Sequence, residues 1–209
     1  MARWAWDQAV RRYRDLDTGR YLPREAILGY VQRSLDASGN AMDDLAGFIG
    51  QQQLSPADFG LLAKEELKQE YIRQYLLGIG GREQMKPADW GSVGGMLKEQ
   101  YRYFNDFLRE VEAGNLSEAQ IRSRLRMYTN SAREAYERAH MKNAKALGMD
   151  EEQWILDAEA EHCDDCVMYA GMGWQPIGTF PQPGDGSTQC LTNCACGKSY
   201  RNSKSGESY

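Results

Sequence analysis

A long helical pattern runs from Ser117 to Gly148 and reads SEAQIRSRLRMYTNSAREAYERAHMKNAKALG. Ser117 with Gln120 three residues later is a capping-box signature for the start of a helix. Apolar and small residues then recur at helical spacing, which predicts one buried helix face. The members of this face are Ile121, Leu125, Tyr128, Ala132, Ala135, Ala139 and Ala146. Gly148 is a typical C-terminal stop, so we expect one helix of about 30 residues, roughly 45 Å long.

A second long helix is predicted immediately before this one. Its apolar positions follow a 4-3-4-3 spacing, which places them on one stripe. They are Leu97, Tyr101, Phe104, Leu108 and Val111. Gly114-Asn115-Leu116 breaks the pattern. Because the link between the two helices is short, the sequence predicts a long antiparallel helical hairpin, and the alanine-rich stripe of the second helix lets a partner backbone come close.

Two further helical regions are expected upstream. Ser55-Pro56 is a good helix start, with serine as N-cap and proline at the first helical position. Phe59, Ala63, Leu67 and Tyr71 follow at four-residue steps, and the glycine-rich run 78–81 should end the helix.

Nearer the N-terminus, a helix is expected to begin near Pro23 and to end at the turn residues Ser38-Gly39-Asn40. Its apolar positions are Ile27, Tyr30, Val31 and Leu35. A separate short helix would then carry Met42, Leu45, Phe48 and Ile49.

The last section changes in character. The run 153–157, QWILD, is a fair strand candidate. Beyond it, glycine and proline are so frequent that we expect little regular structure and therefore little core. Such a segment usually needs a staple. We therefore divide the chain into a basic aromatic arm with short helices (1–54), a long-helix region (55–148) and a cysteine-rich module (149–209), the last being a small, irregular, zinc-stapled α+β unit of a mainly α protein.

Composition restricts the class of protein further. The chain has 209 residues, of which 42% are hydrophobic and 26% charged, an ordinary globular balance. No apolar run reaches membrane-spanning length, and the first residues lack the apolar core of a signal peptide. We therefore expect a soluble protein that is not exported and does not bind a membrane. The net charge of −5 does not favour a DNA-binding protein as a whole.

All five cysteines lie in the last quarter of the chain, as Cys163-x2-Cys166 and then Cys190-x3-Cys194-x-Cys196. Tetrahedral zinc prefers four thiolate or imidazole ligands, delivered as close pairs from separate segments. The first pair would serve one side of the ion and two of the last three cysteines the other, with the third left spare. Disulfides and free buried thiols are the alternatives.

A catalytic role for this zinc is disfavoured by the surrounding residues. The zinc-deaminase signature requires H-x-E before P-C-x-x-C, whereas Asp164 follows His162 at that spacing and no proline precedes Cys163. The other histidine, His140, is not in an H-E-x-x-H motif. His162 adjoins Cys163 and could substitute as a ligand, although a solvated or hydrogen-bonded histidine is the simpler interpretation. We therefore expect a structural zinc and no enzyme.

The N-terminal arm has two interpretations. Arg3, Arg11, Arg12 and Arg14 beside Trp4, Trp6 and Tyr13 could hold nucleic-acid phosphates while the rings stack on bases. Alternatively, the arm docks on its own helices or on a neighbouring subunit. We favour docking, and binding of DNA through Arg11, Arg12 and Arg14 remains the alternative function.

The second half of the chain resembles the Mu F-type minor head (head morphogenesis) proteins of tailed bacteriophages. The resemblance rests on the helical segment 130–143, then Gly148 and Trp154, the Cys163-Asp-Asp-Cys166 pair, Gly171 and the final Asn193-Cys194-Ala195-Cys196. It covers about residues 117–200. Family members often have His-Pro ahead of the terminal Asn-Cys, where this chain has Leu191-Thr192, so Cys190 is the candidate for the missing ligand.

This resemblance implies a virion component that acts beside the portal during head assembly in the host cytoplasm. Its partners would be portal or capsid proteins, and it would be carried inside the phage head. Because some phage head proteins carry fused effector domains, a hydrolase or toxin activity in the helical part is a rival expectation. The lack of a well-placed catalytic base argues against it.

Overall fold

A computed structural model describes residues 4–7, 9, 10 and 12–209 of the chain. It is mainly helical, as the sequence predicts, with small antiparallel sheets. The helices are α1 (Arg24–Gly50), α2 (Pro56–Ile79), α3 (Pro87–Glu112), α4 (Glu118–Ser131), α5 (Arg133–Ala146) and α6 (Asp164–Gly171). The strands are β1 (Trp4–Asp7), β2 (Arg12–Asp15), β3 (Glu151–Ile155), β4 (Gln175–Pro176) and β5 (Gly197–Arg201). One sheet has the order β1-β2 and the other β4-β3-β5.

Helix α2 is the centre of the bundle. Its N-cap is Ser55, whose hydroxyl accepts a hydrogen bond from the Asp58 amide at 3.1 Å, and it ends at Gly80, which has a φ of 95°. The predicted face of Phe59, Ala63, Leu67 and Tyr71 is fully buried. Both ends and the buried face of this helix are therefore as the sequence predicts.

The neighbours of α2 run in different directions. Helix α3 is antiparallel to it, since the Phe59 and Phe107 rings lie 6.4 Å apart while the Tyr75 hydroxyl donates to Asp89 at 2.7 Å. Helix α5 is parallel to it, since Tyr71 contacts Ser131 just before α5, at 3.1 Å between the hydroxyl oxygens, while Gly78 lies beside Tyr136. The two helices are so close that a Cβ at Gly78 would lie 2.3 Å from the Tyr136 carbonyl oxygen. The narrow alanine stripe of α5 therefore packs within the chain.

Helix α1 has no break at residues 38–40, where the sequence predicts one. It continues without interruption to Gly50, and Ser38 is 1% exposed. Past the expected break, α1 packs antiparallel to α4, where the Arg126 guanidinium pairs with Asp43 and Gly50 faces Glu118. Because both halves of α1 pack against other helices, this packing outweighs the turn preference of Ser38-Gly39-Asn40. The prediction of a separate short helix is therefore wrong.

The predicted 30-residue helix is divided in two at Ala132. The amide of Ala132 bonds to the Thr129 carbonyl and the amide of Ala135 to the Ala132 carbonyl, both in tight three-residue turns. Just before the break, the Thr129 hydroxyl donates to the Leu125 carbonyl at 3.1 Å. A side chain that bonds back to a helical carbonyl disturbs the backbone ladder there.

The predicted face of this helix is buried except near its end. Ile121, Leu125, Ala132, Ala135 and Ala139 are buried. Tyr128 is half-buried, with its ring 5.0 Å from that of Phe104 on α3. Ala146 is exposed and Ala144 is buried in its place, so the prediction was wrong at Ala146. The contact between α3 and α4 is antiparallel, as expected for the hairpin.

The N-terminal arm is a β-hairpin docked on the end of α2. Trp6 and Tyr13 are buried, the Trp6 amide donates to the Gly80 carbonyl at 2.9 Å, and the Tyr13 hydroxyl donates to the Leu77 carbonyl at 2.5 Å. Two of the arm's three rings thus lie in the core of the chain. The expected turn at 17–20 is present, with Gly19 at a φ of 72°.

Two arginines of the arm, Arg12 and Arg14, are exposed. The guanidinium carbon of Arg12 lies 5.4 Å from the centre of the Tyr21 ring. The Nε atom of Arg14 donates a hydrogen bond to the Gly19 carbonyl at 3.0 Å. Arg3 and Arg11 lie outside the described residues. DNA binding through Arg11, Arg12 and Arg14 stays a prediction.

None of the described helices combines the length and the apolar composition that a membrane-spanning segment requires.

The last section is more regular than expected. Strand β3 overlaps the predicted strand 153–157 but begins and ends two residues earlier. It pairs with β4 on one side and β5 on the other. Helix α6 begins directly after Cys163, which is its N-cap. Its eight residues, DDCVMYAG, contain no proline and have a glycine only at the last position, and they form two helical turns where the sequence predicts little regular structure.

Candidate metal centre

The five cysteines of the chain come together beside the small sheet. Cys163 and Cys166 are placed by the first turn of α6, and Cys190, Cys194 and Cys196 by the loop that leads into β5. All five are free thiols. The expectation that these residues can hold a metal ion is confirmed by their placement.

Three sulfurs form a triangle of the size that a tetrahedral metal requires. The Sγ of Cys163 lies 3.5 Å from that of Cys166 and 3.5 Å from that of Cys190, and the Sγ atoms of Cys166 and Cys190 are 3.7 Å apart. Four sulfurs at about 2.3 Å from a zinc ion would be about 3.8 Å from one another. A disulfide, with sulfurs at about 2.05 Å, does not fit these distances.

A second triangle shares one corner with the first. Cys166, Cys194 and Cys196 have sulfurs within 4.8 Å of one another, with Cys166 and Cys194 at 3.7 Å. The Nδ1 atom of His162 is 3.7 Å from the Cys196 sulfur. His162, which the sequence favours as a solvated histidine, therefore lies at the edge of the cluster.

The neighbouring sulfurs shift one another's acidity. A hydrogen bond from Cys194 lowers the pKa of Cys196 to about 5, although burial acts against this. The same hydrogen bond raises the pKa of Cys194. Burial raises the pKa of Cys166. Burial also raises the pKa of Cys163, but hydrogen bonds with Cys166 and Cys190 lower this pKa below its usual value. A thiolate, the form that ligates metals, is thus favoured at two positions.

An aromatic wall covers the second triangle. Trp154, on β3, is 1% exposed and Phe180 is 3% exposed. The Trp154 ring centre lies 6.2 Å from that of Phe180 and 5.2 Å from that of Tyr169. One buried cluster contains Trp154, Phe180, Cys166, Cys194 and Cys196. Three of the five cysteines are therefore part of the apolar core of this loop-rich section.

Two side chains of the helical bundle hold the cysteine loop. The Arg133 guanidinium donates to the carbonyls of Ala195 and Cys196 at 3.0 and 2.8 Å. The Asn130 amide donates to the Asn193 side chain at 2.8 Å. Arg133 is 6% exposed. The break between α4 and α5 lies between these two anchors, so the bundle and the cysteine loop are joined at that point.

Sequence reasoning missed a buried ion pair behind the sheet. The Lys198 ammonium lies 3.2 Å from the Glu152 carboxylate, and both side chains are fully buried. The other oxygen of Glu152 accepts hydrogen bonds from the amides of Gly178 and Phe180 at 3.0 and 2.8 Å. Burial lowers the pKa of Lys198. No local signal reveals this pair, because its two members are far apart in sequence and each looks like an ordinary surface residue.

The donor set indicates which chemistry the centre supports. Thiolates are soft ligands that select zinc and other thiophilic metals over magnesium or calcium. Two ligands at the start of a helix and others on a loop are typical of a metal that holds chain segments together.

Comparison of the chain with protein-family models, with curated proteins and with solved structures finds no match.

Proposed function

We propose that the chain is a non-enzymatic component of a tailed-bacteriophage head, a minor head protein that contacts portal or capsid subunits. The observation that carries the proposal is the junction between the helical bundle and the cysteine loop. The segments that resemble the head morphogenesis proteins are the end of α4, the start of α5 and the final Asn-Cys-x-Cys. Asn130 and Arg133 join them through Asn193 and Cys196, so the resemblance falls on residues that touch.

We also propose that the metal is a structural zinc. Cys163, Cys166 and Cys190 form one face of a tetrahedron, and Cys194 or Cys196 supplies the remaining corner. The loops on either side of α6 contribute few buried apolar residues besides the cysteines. A zinc ion bound by thiolates contributes directly to the folding free energy of such a segment. This is the reason for assigning the ion a structural role.

The proposal is tested in phage particles. We expect the protein in purified DNA-filled heads, detected by immunoblotting, and we expect it to co-elute with purified portal protein in size-exclusion chromatography. A chain that is absent from particles and elutes separately from both portal and capsid protein would contradict the proposed role.

A matched pair of variants links the test to the junction. Arg133→Ala removes the two hydrogen bonds to the cysteine loop and should reduce incorporation into heads severalfold. Arg138→Ala, on the same helix, removes a pair between an exposed guanidinium and the half-buried Glu134 carboxylate. This pair makes no hydrogen bond to the cysteine loop, so incorporation should be unchanged. Equal incorporation of both variants would show that the junction has no part in assembly.

A further inference from the structure

The five sulfurs are one more than a single tetrahedral site can use. They form two triangles, Cys163-Cys166-Cys190 and Cys166-Cys194-Cys196, with one sulfur in common. A single tetrahedral ion takes four ligands. It would therefore leave a fifth thiol next to the metal, and within the second triangle that thiol would be 3% exposed or less.

The second triangle has its own candidate for a fourth ligand. His162 Nδ1 lies 3.7 Å from the Cys196 sulfur, and the imidazole is half-exposed, so that its ring can turn toward the cluster. Cys166, Cys194 and Cys196 with His162 make a three-sulfur, one-nitrogen set, which is a common zinc environment. The first triangle has two half-exposed members, Cys163 and Cys190, and water can reach an ion held there.

Charge balance also favours more than one ion. Each thiolate carries one negative charge. One divalent ion bound by four thiolates therefore has a net charge of −2, and the fifth cysteine stays beside it as a neutral thiol. Two divalent ions with all five thiolates and a neutral imidazole leave −1. The Arg133 guanidinium bonds to the carbonyls of Ala195 and Cys196, but the buried Glu137 carboxylate lies 3.8 Å from it and balances its charge. The comparison therefore rests on the ions and their own ligands. The larger cluster is thus closer to neutrality in a buried setting.

We propose that the cysteine cluster binds two zinc ions, bridged by the Cys166 thiolate. The first ion is held by Cys163, Cys166 and Cys190, and the second by Cys166, Cys194, Cys196 and His162. The inference rests on the proposed metal-binding role of the cluster and adds a second position to it. No cysteine is left as a spare thiol.

The deciding experiment is a count of metal per chain. The full-length protein is purified without chelator, dialysed, and measured for zinc by elemental mass spectrometry, with free thiols counted in parallel. Two zinc ions per chain and no reactive thiol are expected. One ion per chain would overturn the second position and leave the structural zinc intact. No ion per chain would overturn both the inference and the proposed zinc.

Variants locate the second ion. His162→Ala and Cys196→Ser should each reduce the count from two ions to one, with the far-UV circular dichroism unchanged. Asp164→Asn is the matched control, because it removes an exposed carboxylate beside Cys163 and leaves every sulfur in place. It should retain two ions. His162→Ala protein that still holds two ions, or Asp164→Asn protein that holds one, would overturn the ligand assignment.

Cobalt titration gives a second readout. Cobalt(II) bound to thiolates shows sulfur-to-metal charge-transfer absorption, so each ion added to the metal-free protein should increase it. We expect the absorption to rise up to two equivalents in the unmodified chain and up to one in His162→Ala. Saturation at one equivalent in both proteins would contradict the bridged pair.

Discussion

At the scale of single residues, Gly78 sets the distance between the two central helices. A Cβ at this position would lie 2.3 Å from the Tyr136 carbonyl oxygen, 2.8 Å from the Ala139 Cβ and 3.0 Å from the His140 amide nitrogen. Two of these three atoms are backbone and cannot turn aside. The close crossing of α2 and α5 therefore depends on the absence of a side chain at one point.

We predict that Gly78→Ala destabilises the protein although alanine is the better helix former. Overpacking of this kind costs about 1–3 kcal/mol or more, whereas glycine to alanine in an open helix position gains about 0.5–1 kcal/mol. Gly94→Ala in α3 is the control, because nothing lies within 4 Å of its added Cβ. Unfolding in denaturant should shift in opposite directions for the two variants. A stabilising Gly78→Ala would contradict the close approach.

At the scale of elements, the Asp89 carboxylate joins three helices. It is 1% exposed and accepts hydrogen bonds from the Tyr75 hydroxyl of α2 at 2.7 Å and from the Lys142 ammonium of α5 at 2.5 Å. It also accepts a hydrogen bond from the Lys86 amide, at the start of its own helix, at 2.8 Å. Burial raises the pKa of Asp89, but these partners lower it below its usual value.

The stabilisation from Asp89 should depend on pH. Because its pKa is lower in the folded chain than in the unfolded one, its contribution is complete above the unfolded value of about 3.9. It is lost as the pH falls through the folded value. Asp89→Asn should reduce the free energy of unfolding by about 1.5–3 kcal/mol at pH 7, and the difference from the unmodified protein should shrink below about pH 4.

The control for this charge effect is Asp106→Asn. Asp106 forms an exposed pair with Arg109 on the same helix, and exposed pairs contribute about 0–1 kcal/mol. Unfolding curves at several pH values compare the three proteins. A constant difference between Asp89→Asn and the unmodified protein from pH 7 to pH 3 would show that the carboxylate charge is unimportant.

At the scale of the whole molecule, the chain has two kinds of core. The bundle of α1 to α5 is held by aliphatic and aromatic side chains and contains no cysteine. The section around α6 is held by Trp154, Phe180 and the sulfurs. A third small cluster, which includes Ala144, Met149 and Tyr200, lies between α5 and the sheet. The two cores therefore depend on different chemistry although they are in contact.

We predict that removal of metal loosens one core and leaves the other folded. The section between Asp157 and Gly197 has no lysine or arginine but contains Tyr169, Trp174 and Phe180. Treatment with a chelator should make it sensitive to chymotrypsin, while the pattern of tryptic fragments and the far-UV circular dichroism change little. Loss of the helical signal together with the metal would show that the bundle does not fold independently of the cluster.

Local signals predicted the helix ends well, and long-range packing explains the failures. Ser55 caps α2 as expected, and Ser117 and Gln120 form the predicted capping box, because these features involve neighbouring residues only. The expected break in α1 failed because Ser38 is buried, which no local pattern shows. Strand β5 was missed because it carries Lys198, a charged residue whose burial depends on Glu152 on another strand.

The candidate site was predictable in its residues and not in its arrangement. The spacing of the five cysteines predicts a metal site, and the structure places them where they could hold an ion. The fold is needed to show that Cys166 belongs to two triangles, because sequence spacing suggests pairs. The one sequence signal at His162 is that it adjoins Cys163, and its position beside Cys196 depends on the path of the loop.

The close crossing of α2 and α5 also limits how this chain can diverge in evolution. Most buried positions tolerate exchange among side chains of similar volume, so relatives can lose recognisable sequence identity while they keep the fold. Position 78 has no such freedom, and position 139 opposite it can hold only a small residue. We therefore expect distant relatives to share this glycine and a small residue in the facing helix even where the rest of both helices differs.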